Sequence, residues 1–336
     1  MKNLLIDGRQ LLFSLVRRPN GNNMQSDSPA PFTRTEILAR CEYFTKTQLW
    51  PIGGVLHPEQ WLENFQEHEQ DHAVHLLGAF LYYSDTMVQQ LFTAAFQSIS
   101  TVQSQILGQR DYALTLSSSW RTFCDRAIIT YVTGEIPSPT DSGFIFSRMA
   151  RQILEFPENR ILSPNETLRR LAGGFTNPVV FVDDFVGSGQ QFINTWNRVY
   201  DVGNQRVSSF QKIAEISPTT QFYYCVPFCA QLGYDEIQKE CPEVVISAAH
   251  LLTDRYNVLH PESFVWSDQL CPTAVDFIKA ASLRAGIPDC GGEDIDDWQG
   301  FKKLGLAVAF QQTIPDATLG FFRWDRNNWK PLMRKT

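Results

Sequence analysis

The chain has 336 residues, of which 43% are hydrophobic and 19% are charged, and its formal net charge at pH 7 is -7. The length suits about two domains, and the composition excludes disordered and fibrous protein classes. No run of about 18 apolar residues occurs, so we expect no membrane-spanning helix and no membrane partner. Asp7 and Arg9 interrupt the apolar start of the chain, so we expect no signal peptide. The acidic balance argues against autonomous binding to DNA.

The seven cysteines are scattered along the chain, and only Cys225 and Cys229 lie close together. A zinc ribbon needs two such pairs, and the second pair is missing. We therefore expect buried, reduced thiols in a cytoplasmic protein.

The N-terminal part of the sequence has mainly helical patterning. Residues 24–34 have the composition of a loop, and helical periodicity then runs from Thr35 to about Gln109. Apolar residues recur there every three or four positions, as at Ile37, Leu38, Cys41 and Phe44. We predict a mainly α-helical N-terminal region over residues 1–118.

The patterning changes after about residue 119, where short β-branched and aromatic runs alternate with helical ones. Continuously apolar strands separated by helices predict a parallel sheet covered on both faces. We therefore predict an α/β domain over residues 119–336, with a parallel sheet flanked by helices. The expected strands are 127–132, 179–182, 221–228, 244–247 and 304–310, and the expected helices are 144–154, 191–200 and 235–240.

Two adjacent acids and a glycine loop follow one of these strands. Asp183 and Asp184 come directly after the strand, and the loop 187–189 (Gly-Ser-Gly) precedes a helix. Ligand sites in open α/β sheets lie at the carboxyl ends of strands, and glycines with helix N–H groups favour an anion. Because carboxylates would repel a phosphate, we expect the two acids to hold sugar hydroxyls or a divalent cation.

This pattern of strand, acid pair and loop resembles type I phosphoribosyltransferases, whose signature loop binds 5-phosphoribosyl 1-pyrophosphate. The resemblance implies that Asp183 and Asp184 are the catalytic acids, face the ribose hydroxyls and hold Mg²⁺. It also implies that the loop binds the 5-phosphate, through Gly187, Ser188, Gly189, Gln190 and Gln191. The family favours threonines in this loop, and the chain has fewer hydroxyl groups there.

A second segment, residues 137–143, resembles the pyrophosphate loop of the same family, which lies between its first strand and helix. The resemblance implies that backbone N–H groups and Mg²⁺ bind a pyrophosphate here and that an arginine in the following helix supplies positive charge. The residues concerned are Asp141, Ser142, Gly143 and Arg148, with Arg151 as a second source of charge. A turn in which Asp141 or Ser142 caps the helix explains the same residues equally well.

The C-terminal part is similar to the tail of phosphoribosyltransferase-like effectors found in bacterial conflict and antiphage systems, some of them beside retron reverse transcriptases. The similarity is carried by 305–310, 313–319, Trp324 and 329–332, and 61–65 is similar to the N-terminal part of that group. The resemblance implies a toxin-like effector that acts on a nucleotide or ribosyl substrate. It also implies control by protein partners of a defence complex, such as a reverse transcriptase with its nucleic acid.

Three functions are compatible with these patterns. The first is an enzyme that binds phosphoribosyl pyrophosphate or a nucleotide and transfers or hydrolyses at the ribose anomeric carbon. The second is a catalytically inactive sensor of nucleotides or phosphoribose, or a docking subunit, which the missing loop threonines favour. The third is a zinc hydrolase, since His68 and His72 match the H-E-x-x-H pattern and His75 follows one turn later. Asp71 and the neighbouring apolar residues favour a solvated helix flank instead.

Overall fold

The computed structural model of the protein describes residues 33–106, 113–134, 142–203 and 206–334. Helices and strands follow one another along these residues. The helices are α1 (Arg34–Lys46), α2 (Pro58–Leu62), α3 (Gln70–Ala79), α4 (Asp85–Ile106), α5 (Ala113–Arg126), α6 (Ser142–Gln152), α7 (Pro164–Ala172), α8 (Gln190–Asn197), α9 (Phe210–Ile216), α10 (Gln231–Glu240) and α11 (Cys271–Ala285). The strands are β1 (Leu81–Tyr83), β2 (Ile128–Tyr131), β3 (Val179–Val182), β4 (Phe185–Val186), β5 (Tyr200–Gly203), β6 (Arg206–Ser208), β7 (Phe222–Ala230), β8 (Val244–Leu252) and β9 (Val308–Phe310).

The main sheet is parallel and contains β2, β3, β7 and β8 in that order. β4 pairs with β7 at Phe228 and Cys229, beyond the residues of β7 that pair with β3. Because β8 occupies the other edge of β7, β4 continues β3 along the same edge. The interruption between β3 and β4 consists of Asp183 and Asp184 alone, so the acid pair lies inside the line of the strand.

Alternate residues of the sheet pack into separate hydrophobic clusters on its two faces. In β3, Val180 and Val182 belong to the first cluster, while Val179 and Phe181 belong to the second. Residues of α4 and α6 join the first cluster, and residues of α7, α8, α9 and α10 join the second. This period of two is that of a strand covered on both faces. The prediction of an α/β fold with a parallel sheet flanked by helices and a helical N-terminal region is therefore confirmed.

The N-terminal helices pack against the C-terminal part of the chain in a third cluster. Trp61 of α2 is fully buried and stacks on Phe322, with the ring centroids 5.2 Å apart. Its indole N–H donates a hydrogen bond to the carbonyl oxygen of Phe321. β1 pairs in parallel with β9, apart from the main sheet. These contacts cross the domain boundary that we placed after residue 118, and that division stays a prediction.

The bounds of most predicted elements differ from those in the structure, and two elements fall short of the prediction by three or more residues at one end. Of the strand predicted at 304–310, β9 forms only the last three residues. Leu306 and Ala307 are buried outside the strand, and this burial accounts for the apolar run that predicted a longer strand. Leu306 forms only an isolated β-bridge, to Thr318. The helix predicted at 191–200 ends at Asn197, and β5 and β6 then form an antiparallel hairpin. Among the described residues, no helix combines the length and apolar character needed to cross a membrane.

Replacing Trp61 with alanine should destabilise the chain, because it removes a fully buried ring that packs on Phe65 and Phe322. Changes of this kind cost about 3–5 kcal/mol. We expect the midpoint of urea unfolding, followed by circular dichroism, to fall accordingly. Leu283→Ala truncates a side chain that is 77% exposed and should stay within about 0.5 kcal/mol of the wild type. Equal midpoints for the two variants would contradict this packing.

Candidate functional site

The segment that follows β3 borders a cavity of about 540 Å³. Its position, after the carboxyl ends of parallel strands, is where open α/β sheets bind ligands. The first residue of α6, the loop before α8 and residues from the C-terminal part of the chain complete the wall. The lining residues are Ser142, Asp184, Phe185, Val186, Gly187, Ser188, Gly189, Gln190, Gln191, Phe192, Asn194, Tyr224, Ile295, Phe301, Phe310, Thr313, Ile314, Pro315, Asp316 and Ala317.

A hydrogen bond joins the two segments that the sequence indicated as ligand-binding. Ser142 Oγ donates to Asp183 Oδ1 at 2.6 Å, across 41 positions of the sequence. The backbone N–H of Asp184 donates to the same oxygen at 3.0 Å, and the Tyr224 hydroxyl donates to Asp183 Oδ2 at 3.3 Å. Three donors thus offset part of the cost of burying a carboxylate that is only 2% exposed. Asp183 lies beneath the cavity and not on its wall.

Of the two acids, Asp184 is the one that lines the cavity. Burial raises the pKa of its carboxyl above the ordinary value of 3.8. Burial also raises the pKa of Asp183 well above that value, the charge of Asp184 adds to the rise, and the hydrogen bond from Ser142 opposes it. Double ionisation of two adjacent carboxylates is unfavourable in a buried site. A cation or a hydroxyl-bearing ligand beside Asp184 would relieve this cost.

The loop between β4 and α8 forms one wall of the cavity and is packed closely from behind. Gly189 is the N-cap of α8 and has a φ of +78°. A Cβ at this position would lie 2.9 Å from the carbonyl oxygen of Gly233 in α10, so only glycine fits. Ser188 Oγ accepts a hydrogen bond from the N–H of Gln190 at 3.4 Å. The predicted phosphate loop therefore presents the start of a helix to the cavity, where backbone N–H groups favour an anion.

Gly143 allows α6 to begin directly against the ends of two strands. A Cβ at Gly143 would lie 2.5 Å from the carbonyl oxygen of Val132 and 3.1 Å from that of Val182. The missing side chain lets the helix approach β2 and β3, and this approach places Ser142 beside Asp183. Ser142 lines the cavity, whereas Gly143 is buried behind it.

The arginines that the resemblance associates with the pyrophosphate loop do not join this wall. Asp141 lies outside the described residues. Arg148 is exposed on α6 and does not line the described part of the cavity. Arg151 is also exposed, and it pairs with Glu158 at 3.6 Å. The positive charge that the resemblance implies is therefore not found in the described lining.

The C-terminal part of the chain supplies a wall that we did not predict. Phe310, Thr313 and Asp316 line the cavity. Behind this wall, the buried guanidinium of Arg323 pairs with Asp316 at 3.1 Å and with Asp296 at 3.8 Å. These ion pairs hold the wall in place. The likeness of 313–319 to the tail of the effector group was the one sequence signal for this region.

The histidine pattern at residues 68–72 does not form a zinc site. It is divided between a short turn at Glu67–Glu69 and α3, and Glu69 pairs with Arg284 at 2.6 Å. His72 Nε2 lies 3.0 Å from Thr273 Oγ1 and within hydrogen-bond distance of a carbonyl oxygen. In the described part of the chain, no group of three or more His, Cys, Asp or Glu side chains is arranged to hold a metal. The ion pair of Glu69 and the hydrogen bonds of His72 give these side chains structural roles that do not need a zinc ion.

Mg²⁺ suits the donor set of the cavity. This ion is usually bound through one or two carboxylates together with the phosphate oxygens of a ligand. Asp184 faces the cavity with Asp183 behind it, and burial raises the pKa of both carboxyls, so a cation bound beside them would favour their ionised forms. No Lys, Arg or His lies among the described lining residues. The acid pair therefore fits Mg²⁺ carried with a phosphate-bearing ligand.

Gly189→Ala should destabilise the chain more than Gly174→Ala. Both glycines have positive φ, +78° and +93°, where a Cβ costs about 1–2 kcal/mol. Only at Gly189 would the Cβ also meet backbone, since the space around Gly174 is open. We expect Gly189→Ala to lower the free energy of unfolding by at least about 1 kcal/mol more than Gly174→Ala, measured by urea unfolding. Equal losses would show that α10 does not hold the loop in this conformation.

The raised pKa values predict that the contribution of the acid pair to stability falls with increasing pH. Above the ordinary carboxyl pKa of 3.8, the unfolded chain releases protons that the folded acid pair retains. The part of the free energy of unfolding that comes from this pair should therefore decrease as the pH rises from about 4 through the folded pKa values. Asp184→Asn should flatten this decrease and raise the melting temperature at pH 7. The exposed Asp125, changed to asparagine, is the control, and parallel pH profiles for all three proteins would contradict the prediction.

One comparison with known proteins, the one with family models, covers most of this structure. The family model PRTase-CE, which describes a phosphoribosyltransferase-like group of conflict effectors, matches residues 58–335. The match includes α2, the whole main sheet, both sides of the cavity and the C-terminal wall. No curated protein and no solved structure matches the chain at a significant level. Since the family model spans far more than half of the sequence, the chain belongs to the PRTase-CE family of phosphoribosyltransferase-like effectors.

Proposed function

We propose that the chain binds phosphoribosyl pyrophosphate or a nucleotide in the 540 Å³ cavity and transfers or hydrolyses at the ribose anomeric carbon. The observation that carries the proposal is the hydrogen bond between Ser142 and Asp183. It unites the acid pair and the start of the pyrophosphate-loop helix in one site. Packing of the sheet alone gives no reason for a buried carboxylate at this point of the strand.

The 5-phosphate and the ribose of such a ligand each have a counterpart in the cavity wall. The 5-phosphate lies at the loop 187–191 and accepts hydrogen bonds from backbone N–H groups at the start of α8. The ribose hydroxyls donate to Asp184, which reaches the cavity surface. Asp183 holds its neighbour in position through the backbone N–H of Asp184.

The reaction needs charge stabilisation more than a nucleophile. Cleavage at the anomeric carbon develops positive charge on the ribose, and the carboxylate of Asp184 lies where it stabilises that charge. Mg²⁺, held by the acid pair together with the ligand, would supply positive charge to the departing pyrophosphate. A base as acceptor gives transfer, and water as acceptor gives hydrolysis.

A specific observation favours the second candidate function, a sensor that binds without turnover. The described lining lacks cationic side chains, and residues 135–141 contain no Lys, Arg or His in their sequence. The nearby Arg323 is paired with Asp316 and Asp296. Stabilisation of a leaving pyrophosphate by these parts of the chain is therefore weak, which suits binding better than catalysis.

The family places the chain among effectors, and we propose that this one acts in the cytoplasm in antiphage defence. Its control would come from protein partners of a defence complex, including a retron reverse transcriptase with its nucleic acid. The absence of cationic side chains from the described lining supports this arrangement, because a partner could supply positive charge. An assay of the chain alone therefore needs a binding readout beside the turnover readout.

Asp184→Asn should abolish ligand turnover, because it removes the carboxylate that faces the ribose. We expect the rate of pyrophosphate release from phosphoribosyl pyrophosphate with Mg²⁺ and a nucleotide pool to fall by at least about 100-fold. Phosphorus NMR follows the release, and calorimetry follows the binding. Asp125→Asn, with the same loss of charge at an exposed site, should match the wild type.

The outcomes separate the two candidate functions. Binding by the wild type that is weakened in Asp184→Asn, without consumption, would establish the sensor. Absence of binding to phosphoribosyl pyrophosphate and to every nucleotide would overturn both.

A further inference from the structure

A second cavity of about 310 Å³ adjoins the first. The two share Ser142, Asp184, Phe310 and Thr313 as lining residues. The phosphate loop 187–191 lines the first cavity and does not line the second. Asp184 therefore stands between a loop that suits phosphate and a separate chamber beyond it.

The walls of the second cavity are largely apolar, and three of the described lining residues are aromatic. Phe146 and Phe228 are buried side chains on opposite elements, α6 and β7, and Met149 lies one turn further along α6. Flat rings and a polarisable thioether suit a planar heteroaromatic group. Among the described residues that line this chamber there are two acids and no cationic side chain. The chamber therefore suits a nucleobase and disfavours a pyrophosphate.

One polar group of this chamber, Asp85 at the start of α4, is an acceptor of hydrogen bonds. Gln312 Nε2 donates to Asp85 Oδ2 at 3.1 Å, and the backbone N–H of Asp85 donates to Gln311 Oε1 at 3.1 Å. The contact with Gln312 holds the carboxylate against the C-terminal wall. A carboxylate offers about four acceptor positions, and Gln312 occupies one of them. Asp85 is thus built to accept further N–H donors from a ligand.

We propose that the second cavity is the base subsite and that Asp85 selects guanine. Guanine presents two adjacent donors, N1–H and the 2-amino group, which match the two oxygens of one carboxylate. Uracil would place carbonyl oxygens against Asp85, and adenine would place a ring nitrogen there, so both are disfavoured. This inference rests on the proposed function, because the ribose at Asp184 links the phosphate loop to the base.

The test is calorimetric binding of GMP, AMP, UMP, guanosine and ribose 5-phosphate to the full chain with Mg²⁺. We expect the wild type to prefer GMP over AMP and UMP by at least about tenfold. Asp85→Asn should reduce GMP affinity by about 10- to 100-fold and leave the affinity for ribose 5-phosphate within about twofold. Asp125→Asn is the matched control for charge. Melting temperatures of each variant report its folding.

A second variant keeps the test independent of any effect of Asp85 on folding. Ile145 lies at the mouth of the second cavity and is 42% exposed, so a larger side chain is tolerated there. Ile145→Trp should obstruct the chamber and weaken GMP and guanosine while leaving ribose 5-phosphate unaffected. A merely structural role of Asp85, in tying α4 to the C-terminal wall, would instead lower the melting temperature and weaken all nucleotides equally.

The outcomes distinguish this inference from the proposed function. Binding of ribose 5-phosphate with equal affinities for GMP, AMP and UMP would overturn the base subsite alone. Guanosine binding that is sensitive to Asp85→Asn, without any binding of ribose 5-phosphate, would overturn the phosphoribosyl function and retain the base subsite. Failure of every ligand to bind would overturn both.

Discussion

Burial of the Asp183 carboxylate at the end of β3 is a cost that three hydrogen-bond donors must offset, and the arrangement of the site depends on how they do so. Ser142 reaches the carboxylate only because α6 begins against the strand ends. Tyr224 reaches it only because β7 pairs beside β3. The N–H of Asp184 turns inward, which interrupts the strand and leaves the Asp184 side chain at the cavity. One buried group thus fixes the positions of a helix, two strands and the acid that lines the cavity.

Burial also disfavours the ionised forms of the two acids, and this lowers the stability of the folded chain. Such a loss of stability is expected at a binding site. A pair of adjacent acids with raised pKa values destabilises the folded chain at neutral pH. A cation or a hydroxyl-bearing ligand regains that free energy when it binds, so the penalty in the free protein becomes affinity in the complex. When a sequence suits its structure everywhere except at one point, that point is usually a functional site. Here the exception is the acid pair inside the line of a buried strand.

The local features of the site were predictable from the sequence, and the long-range ones were not. Continuous apolar runs predicted the parallel strands, and the acids and glycines after one of them predicted the ligand loop, because these properties depend on residues next to one another. Tyr224 has the same apolar neighbours as any core aromatic, and only the pairing of β7 with β3 brings it to Asp183. Arg148 has suitable spacing, yet the buried face of α6 is set by Phe146 and Ala150, which leaves Arg148 exposed. The C-terminal wall comes from more than 100 positions away, where no periodicity could indicate it.

The walls of the two cavities differ in chemistry, and under the proposed function this difference sets the orientation of the ligand. In the proposed orientation, the phosphate meets the backbone N–H groups where the N-terminus of α8 joins the loop 187–191. At the other end, the apolar walls and the acceptor oxygens of Asp85 suit a base better than a phosphate. Asp184 lies where the two cavities meet, so a molecule that satisfies both ends must present its sugar there. The proposed orientation of a nucleotide-like ligand therefore follows from the backbone donors, the carboxylate acceptors and the apolar surface, because each of them fits a single part of that ligand.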